Sequence, residues 1–189
     1  RIKIIIIKNL SILIKNGIEF KKSPANFINI FLDITKFKYI MHQDSYRFLC
    51  EEITNLKRNF RLKPLINKKF LQLLTSDTDD EVMNNLNDCG LLVKVIPEFS
   101  RITSQSQFDR YHLYTVDEHT LMAFNLLKKI DSEKKQSLEF NLPKSIIREI
   151  KNKTTLYLSI LLHDIGKGYG GNHQKIGGNL AKEILKYFE

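Results

Sequence analysis

Apolar residues along much of this chain recur at the three- and four-residue spacing of an α-helix. The clearest stripe consists of Phe27, Ile30, Phe31 and Ile34. This spacing places one apolar face on a helix. Ser23 is a good N-cap and Pro24 suits a first helical turn, so we predict that the helix begins there. Further helices are predicted at 44–58, 65–74, 79–88 and 91–96.

The first 22 residues have a different pattern, which favours a small β element. Asn16-Gly17 separates the largely apolar segment 10–15 from the alternating segment 18–21. Asn-Gly between such segments is the strongest short signal for a hairpin, because both turn residues must take positive φ. We therefore predict a β-hairpin whose turn is Asn16-Gly17.

The second half of the chain is also predicted to be helical. A polar segment from Ser100 to Asp109 is predicted to be a loop, and a helix over 116–130 follows it. One face of that helix is expected to hold His119, Met122, Ala123, Leu126 and Ile130. Three more helices are predicted at 143–153, 154–163 and 173–188. The densely apolar helix 154–163 should be buried, and a glycine-rich loop follows it, so the predicted fold class is mainly α.

The net charge of +9 is unevenly distributed, and this changes its meaning. Residues 1–75 contain 15 Lys/Arg and 5 Asp/Glu, whereas residues 76–189 contain 15 and 16. The basic surface therefore belongs to the first part of the chain, where it favours a solvated surface over a nucleic-acid footprint. We expect no nucleic-acid partner.

The two cysteines, Cys50 and Cys89, form no CxxC and no paired pattern. We therefore expect a reducing cytoplasm, with Cys89 a small buried apolar residue rather than a nucleophile. No segment approaches the roughly 20 apolar residues of a membrane span, so no membrane association is expected.

His163-Asp164 is the dipeptide most informative about chemistry. It follows a buried apolar helix, where unpaired polar groups are costly, and a divalent metal is a natural partner for both side chains. Taken alone, the pair is better explained as a helix-terminal histidine and a capping aspartate. His119 on its own helix changes that balance, because imidazole and carboxylate together suit Mn, Fe, Mg or Zn.

The neighbours of these residues have two interpretations each. Asp117 and Glu118 either orient the His119 imidazole or place negative charge in the first turn of its helix, and the second role is favoured for Glu118. Lys167 among glycines is either a phosphate contact or an exposed loop cation. His173 either assists a metal or phosphate or simply begins the last helix.

Several motifs together resemble a known family. They are the segments Ile96–Phe99, His112–Leu121, Leu162–Gly168, Gly171–His173 and Gly177–Ala181. His119 with His163-Asp164 matches the first three members of the His…His-Asp…Asp pattern of HD phosphohydrolases. The whole set resembles the HD region of bacterial PII uridylyltransferase/uridylyl-removing enzymes, and the segment before it resembles their connector.

The resemblance implies a mostly helical domain that hydrolyses the bond between UMP and the PII nitrogen-signalling protein. It implies a hairpin and connector at 1–22, a helical connector at 23–97 and an HD domain at 98–189. His119, His163 and Asp164 become metal ligands, with Mg or Mn the expected metal. His163, Asp164 and Lys167 become catalytic residues, and Lys167 and His173 become candidate contacts to phosphate or a second metal.

The chain departs from the family pattern in ways that limit what it should do alone. The family's last metal-binding Asp is expected after Glu189, and the chain begins with Arg, so we expect a piece of a longer protein. The Gly-Ser and Asp-x-Asp motif of the nucleotidyltransferase is absent, as are the glutamine-sensing ACT modules. We expect no UMP transfer and no glutamine sensing from this segment, and incomplete hydrolase activity.

Three alternatives to uridylyl removal stay open. The first is an HD phosphohydrolase of free nucleotides or nucleic-acid ends, and the second is a non-catalytic HD module that transmits signals. The third is a nucleic-acid-binding module, which rests only on the basic first section.

Overall fold

The computed structural model describes residues 4–7, 11–14, 23–77, 80–105, 114–132 and 141–189. The chain divides into two compact units, one formed by 1–97 with 187–189 and the other by 98–186. Within the described residues, no helix is both long and apolar enough to cross a membrane. The fold is mainly helical, as the sequence predicts.

The β structure of the first unit is not the predicted hairpin. Strand β1 (Ile4–Ile7) pairs antiparallel with β2 (Ser11–Ile14), with Ile4 opposite Ile14, and β2 also pairs in parallel with β3 (Ile40–Met41). The predicted turn at Asn16-Gly17 and the predicted strand 18–21 both lie outside the described residues. The Ile4–Ile7 run, rich in the β-branched residues that strands favour, supplies the partner instead.

The helices of the first unit are α1 (Asn26–Phe37), α2 (Gln43–Thr54), α3 (Pro64–Thr75), α4 (Asp80–Asp88) and α5 (Leu91–Val95). The predicted stripe is buried, with Phe31 only 1% exposed, and α1 packs on α3. The predicted N-cap is wrong, because Ala25 precedes α1 and Ser23 contributes only its carbonyl to the amide of Asn26. Cys89 is buried, and burial raises the pKa of its thiol to about 12, so it stays protonated.

The second unit contains four α-helices among its described residues, which are α6 (Val116–Ser132), α7 (Asn141–Glu149), α8 (Lys153–Leu162) and α9 (His173–Leu185). Helix α6 packs on both α7 and α8. The buried residues Phe124 and Tyr157 meet at a ring separation of 5.6 Å. Helix α8 is buried on one face, where Leu161 is fully inaccessible, but Thr155 and Ser159 are exposed, so the predicted burial holds for that face alone.

The predicted inner face of α6 is partly wrong. Met122 and Leu126 are each 49% exposed, and the core is instead contacted by Thr120, Leu121 and Phe124. Leucines lie on more than one side of this helix, so the apolar pattern alone allows either of two faces to be the buried one. Packing against α8 selects the one that carries Phe124. His119 therefore lies at the edge of the buried face, where a ligand can reach it.

Candidate metal centre

His163 and Asp164 stand where helix α8 ends. Buried leucines anchor the last turn of α8, and His163 still has helical backbone angles, φ −60° and ψ −34°. The chain then turns at 163–166 and forms a 3₁₀ turn at Lys167–Tyr169. The helix end therefore presents two adjacent polar side chains outward from an apolar support.

Helix α6 brings His119 to the same place. Its Nε2 lies 4.0 Å from Oδ2 of Asp164, and the two imidazole rings of His119 and His163 are 5.6 Å apart. One ligand atom from each of the three residues lies within 4.8 Å of the others. The structure thus brings together the three side chains that the sequence singled out, from helices far apart in the chain.

The ring of His163 is oriented by the backbone. Its Nδ1 lies 2.7 Å from the carbonyl oxygen of Ile160, and its Nε2 lies 3.2 Å from Oδ2 of Asp164. A carbonyl accepts from an N–H, so this contact favours the tautomer with its proton on Nδ1. In that tautomer Nε2, which faces Asp164, is the nitrogen that can bind a metal.

Lys167 also reaches the centre. Its Nζ lies 2.9 Å from Oδ2 of Asp164, and the two side chains are 25% and 12% exposed. The 3₁₀ turn that follows Asp164 brings Lys167 back beside it. The structure therefore supports placing Lys167 at the site, since its ammonium is held by the same carboxylate that faces both histidines.

Two glycines let the turn pack closely against its surroundings. A β-carbon at Gly166 would lie 2.1 Å from the carbonyl oxygen of His173. A β-carbon at Gly168 would lie 2.5 Å from the carbonyl oxygen of Arg101. Backbone atoms cannot approach real β-carbons so closely, so these positions require glycine. The tight packing holds the turn that carries Lys167.

The two carboxylates before His119 bond to backbone amides. Oε2 of Glu118 accepts from the amide of Thr115 at 2.9 Å, which is the N3-to-N-cap bond of a capping box. Oδ1 of Asp117, a buried side chain, accepts from the amide of Ser104 at 3.0 Å. Neither bond orients the His119 imidazole, so that role stays a prediction for both.

Other predicted and unpredicted residues lie around the centre. His173 is exposed at the start of α9 and does not join the three-residue group found among the described residues. Gln105 was not predicted, yet its Nε2 lies 3.5 Å from the carbonyl oxygen of Lys167. Arg101 was also missed. Both belong to a segment treated as a polar loop, and no local pattern indicates contacts with residues more than 60 positions later.

The donor set fits a divalent cation. Two imidazole nitrogens and one carboxylate oxygen converge, and no cysteine belongs to the group. Nitrogen and oxygen donors without thiolate suit Mn, Fe, Mg or Zn. The side chains of His119 and His163 are 46% and 35% exposed, which leaves room for further ligands and a substrate.

Comparison with known proteins supports this interpretation. Residues 116–189 match the HD domain family. The chain is 33% identical over 172 residues to the bifunctional uridylyltransferase/uridylyl-removing enzyme of Azospirillum brasilense, covering 90% of this chain and 18% of that enzyme. It is 35% identical over 171 residues to the enzyme of the same name from Rhodopseudomonas palustris, covering 89% and 18%. It is 30% identical over 178 residues to the enzyme of the same name from Zymomonas mobilis, covering 94% of this chain and 19% of that enzyme.

These matches confirm the predicted resemblance. The chain spans about a fifth of the length of the curated relatives it matches, so it corresponds to one stretch of a larger enzyme type. Within that stretch, residues 116–189 are the part that is similar to HD domains.

Proposed function

Because residues 116–189 match the HD domain family, we propose that this segment hydrolyses a phosphodiester and removes UMP from the uridylylated PII signalling protein. His119, His163 and Asp164 hold the divalent metal, Mg or Mn, in this proposal. The observation that carries it is the convergence of these three side chains within 4.8 Å. The relatives' name, which includes uridylyl removal, supports the removal of a uridylyl group, and the PII substrate comes from the family resemblance.

Each residue of the centre has a distinct task in the proposed reaction. When bound, a divalent metal supplies Lewis acidity, lowering the pKa of water and offsetting charge on a phosphoryl oxygen. The carbonyl of Ile160 contacts Nδ1 of His163 and orients the ring so that Nε2 faces the metal site. Asp164 supplies the negative charge of the ligand set. Lys167 donates to a phosphoryl oxygen in this proposal. Its ammonium is positioned for this role by the contact with Asp164.

The openness of the centre supports a protein-linked substrate. The His119 and His163 side chains are exposed, and Tyr169 on the adjoining turn is 39% exposed. A phosphodiester carried on the surface of another protein can reach such a centre without the enzyme enclosing it. A small free nucleotide, in contrast, is usually bound in a pocket that buries most of its surface.

The decisive experiment uses the full-length protein that contains this chain, with uridylylated PII as substrate. UMP release is measured with Mn²⁺, with Mg²⁺ and with EDTA, for wild type, His163→Ala and Asp164→Asn. The matched control is Glu183→Gln, which removes an exposed carboxylate on α9 in the same unit. We expect metal-dependent release that both site variants lose and the control retains.

The other outcomes separate the alternatives. Folded, metal-binding protein that releases no UMP would reject this substrate and favour a hydrolase of free nucleotides, which a nucleotide panel then tests. Protein that binds no metal by calorimetry would favour a non-catalytic module. Full activity in Asp164→Asn would remove Asp164 from the ligand set.

A further inference from the structure

An arginine stands beside the turn that carries Lys167. The Arg101 guanidinium lies over the ring of Tyr169, with its central carbon 5.5 Å from the ring centroid. Both side chains are exposed. Arginine over an aromatic face is a favourable cation–π arrangement that leaves the N–H edges of the guanidinium available.

The main chain fixes where Arg101 lies. A β-carbon at Gly168 would lie 2.5 Å from the carbonyl oxygen of Arg101 and 2.6 Å from its Cβ. The backbone of Arg101 is therefore packed directly on the residue that follows Lys167. A shift of this arginine would require the 3₁₀ turn itself to move.

The residues that follow Arg101 are anchored to the same centre. Ile102 is fully buried, and Gln105 lies 3.5 Å from the carbonyl oxygen of Lys167 through its Nε2. The amide of Ser104 donates to Asp117 at the start of the helix that carries His119. Residues 102–105 therefore contact both the turn that carries Lys167 and the helix that carries His119. These contacts fix the position of the Arg101 backbone.

The charge of Arg101 is available for an anion. Among the described residues, no carboxylate forms an ion pair with its guanidinium, whereas Lys167 faces Asp164 at 2.9 Å. The two cations come from segments that touch at Gly168. The charge of Lys167 is balanced by the Asp164 carboxylate, whereas the charge of Arg101 adds net positive charge beside the turn that carries Lys167.

We propose that Arg101, held over Tyr169, binds the phosphoryl group of the substrate as a second cationic contact beside the metal centre. This inference rests on the proposed phosphodiester hydrolysis and adds the residue that recognises the anion. Arginine suits the task because its planar fork offers two parallel N–H donors to two phosphoryl oxygens, whereas lysine offers a point charge. Tyr169 limits the orientations of the fork and thereby lowers the entropic cost of binding.

The test uses the full-length protein with Mn²⁺ and the variants Arg101→Met, Arg101→Lys and Tyr169→Leu. Calorimetry measures the affinities for inorganic phosphate, UMP and uridine, and steady-state kinetics measure kcat and KM for uridylylated PII. The matched control is Arg148→Met, which removes an exposed arginine from α7 in the same unit. Thermal melting verifies that each variant is folded.

We expect Arg101→Met to weaken phosphate and UMP binding about tenfold and to raise KM by a similar factor, the loss of one charge-assisted contact. Arg101→Lys should recover part of the loss, Tyr169→Leu should show a smaller loss, and Arg148→Met should match wild type. Uridine, which lacks the phosphate, should show no difference between wild type and Arg101→Met.

Two results would overturn the inference. The first is that Arg101→Met binds phosphate and UMP with the wild-type affinity. If the same variant then has a raised KM for uridylylated PII, Arg101 contacts the protein substrate rather than the phosphoryl group. The second is a wild-type protein that binds no phosphate. Since the binding measurements need no turnover, they decide the role of Arg101 even if uridylyl removal itself is not observed.

Discussion

Nζ of Lys167 lies 2.9 Å from Oδ2 of Asp164. The same oxygen is 3.2 Å from Nε2 of His163 and 4.0 Å from Nε2 of His119. One carboxylate thus joins the proposed ligands to the proposed phosphate contact. A change in the charge of Lys167 should therefore alter both metal binding and phosphate binding.

Lys167→Met is expected to affect metal binding and catalysis in opposite directions. Removing a cation beside Asp164 leaves the carboxylate freer for the metal, so metal affinity should rise a few-fold. Loss of the ammonium that faces the phosphoryl group should lower kcat/KM by about 10²–10³. Calorimetric titration with Mn²⁺ and UMP-release kinetics measure the two effects, with Lys175→Met as an exposed control. Parallel losses in both would mean that Lys167 positions Asp164 instead.

Gly168→Ala should distort the turn, whereas Gly178→Ala should not. The new methyl at position 168 would meet the backbone and Cβ of Arg101 at 2.5–2.6 Å, but a methyl at Gly178 has nothing within 4 Å. We expect Gly168→Ala to cost about 1–3 kcal/mol of unfolding free energy. Gly178→Ala, an exposed helical site, should stabilise by up to about 1 kcal/mol. Urea denaturation compares them, and equal stabilities would contradict the close packing of the turn.

Asp131→Asn should alter the pH dependence of stability. Asp131 on α6 accepts from Tyr157 and, at 2.6 Å, from Lys153, both on α8. Burial raises the pKa of Asp131, but these hydrogen bonds outweigh it and hold the pKa below the ordinary 3.8. A depressed carboxyl pKa stabilises the fold above about pH 4, and this contribution is lost as the pH falls through the folded-state value.

We therefore expect Asp131→Asn to cost about 1.5–3 kcal/mol at pH 7, the range for hydrogen bonds to charged groups. The difference from wild type should shrink below about pH 4. Thermal melts from pH 7 to pH 3 measure it, with Glu183→Gln as a surface control. A difference that stays constant over this range would show that the charge of Asp131 adds nothing.

Glu118→Ala distinguishes a capping role from one that orients His119. If the carboxylate only accepts from the Thr115 amide, stability should fall by about 0.5–2 kcal/mol and metal affinity should stay within twofold. If it orients the imidazole, metal affinity should fall about 10- to 100-fold. Calorimetry with Mn²⁺ and denaturant melts separate the two, and Glu149→Ala, which removes an exposed carboxylate from α7, is the control.

Features that depend on neighbours in the chain were predictable from the sequence. Helical spacing located α1, α3, α6 and α8 to within a few residues, because an α-helix forms its hydrogen bonds over four positions. The placement of His163 and Asp164 just after α8 followed in the same way. The residue types of His119, His163 and Asp164 indicated a divalent metal, and the motif resemblance added the candidate reaction.

Features that depend on contacts between distant segments were decided only by the tertiary structure. β2 pairs with β1 and with β3, and the Asn16-Gly17 signal predicted neither pairing, since strand pairing depends on which extended segments are available nearby. The buried face of α6 was set by α8, because leucines around α6 permit more than one apolar face. Arg101 contacts the turn at Gly168 through its backbone, and a backbone contact leaves no pattern of side chains in the sequence. The sequence by itself thus indicated the helices and the candidate ligands, because these depend on residue type and local spacing, whereas packing determined which further side chains surround the candidate ligands.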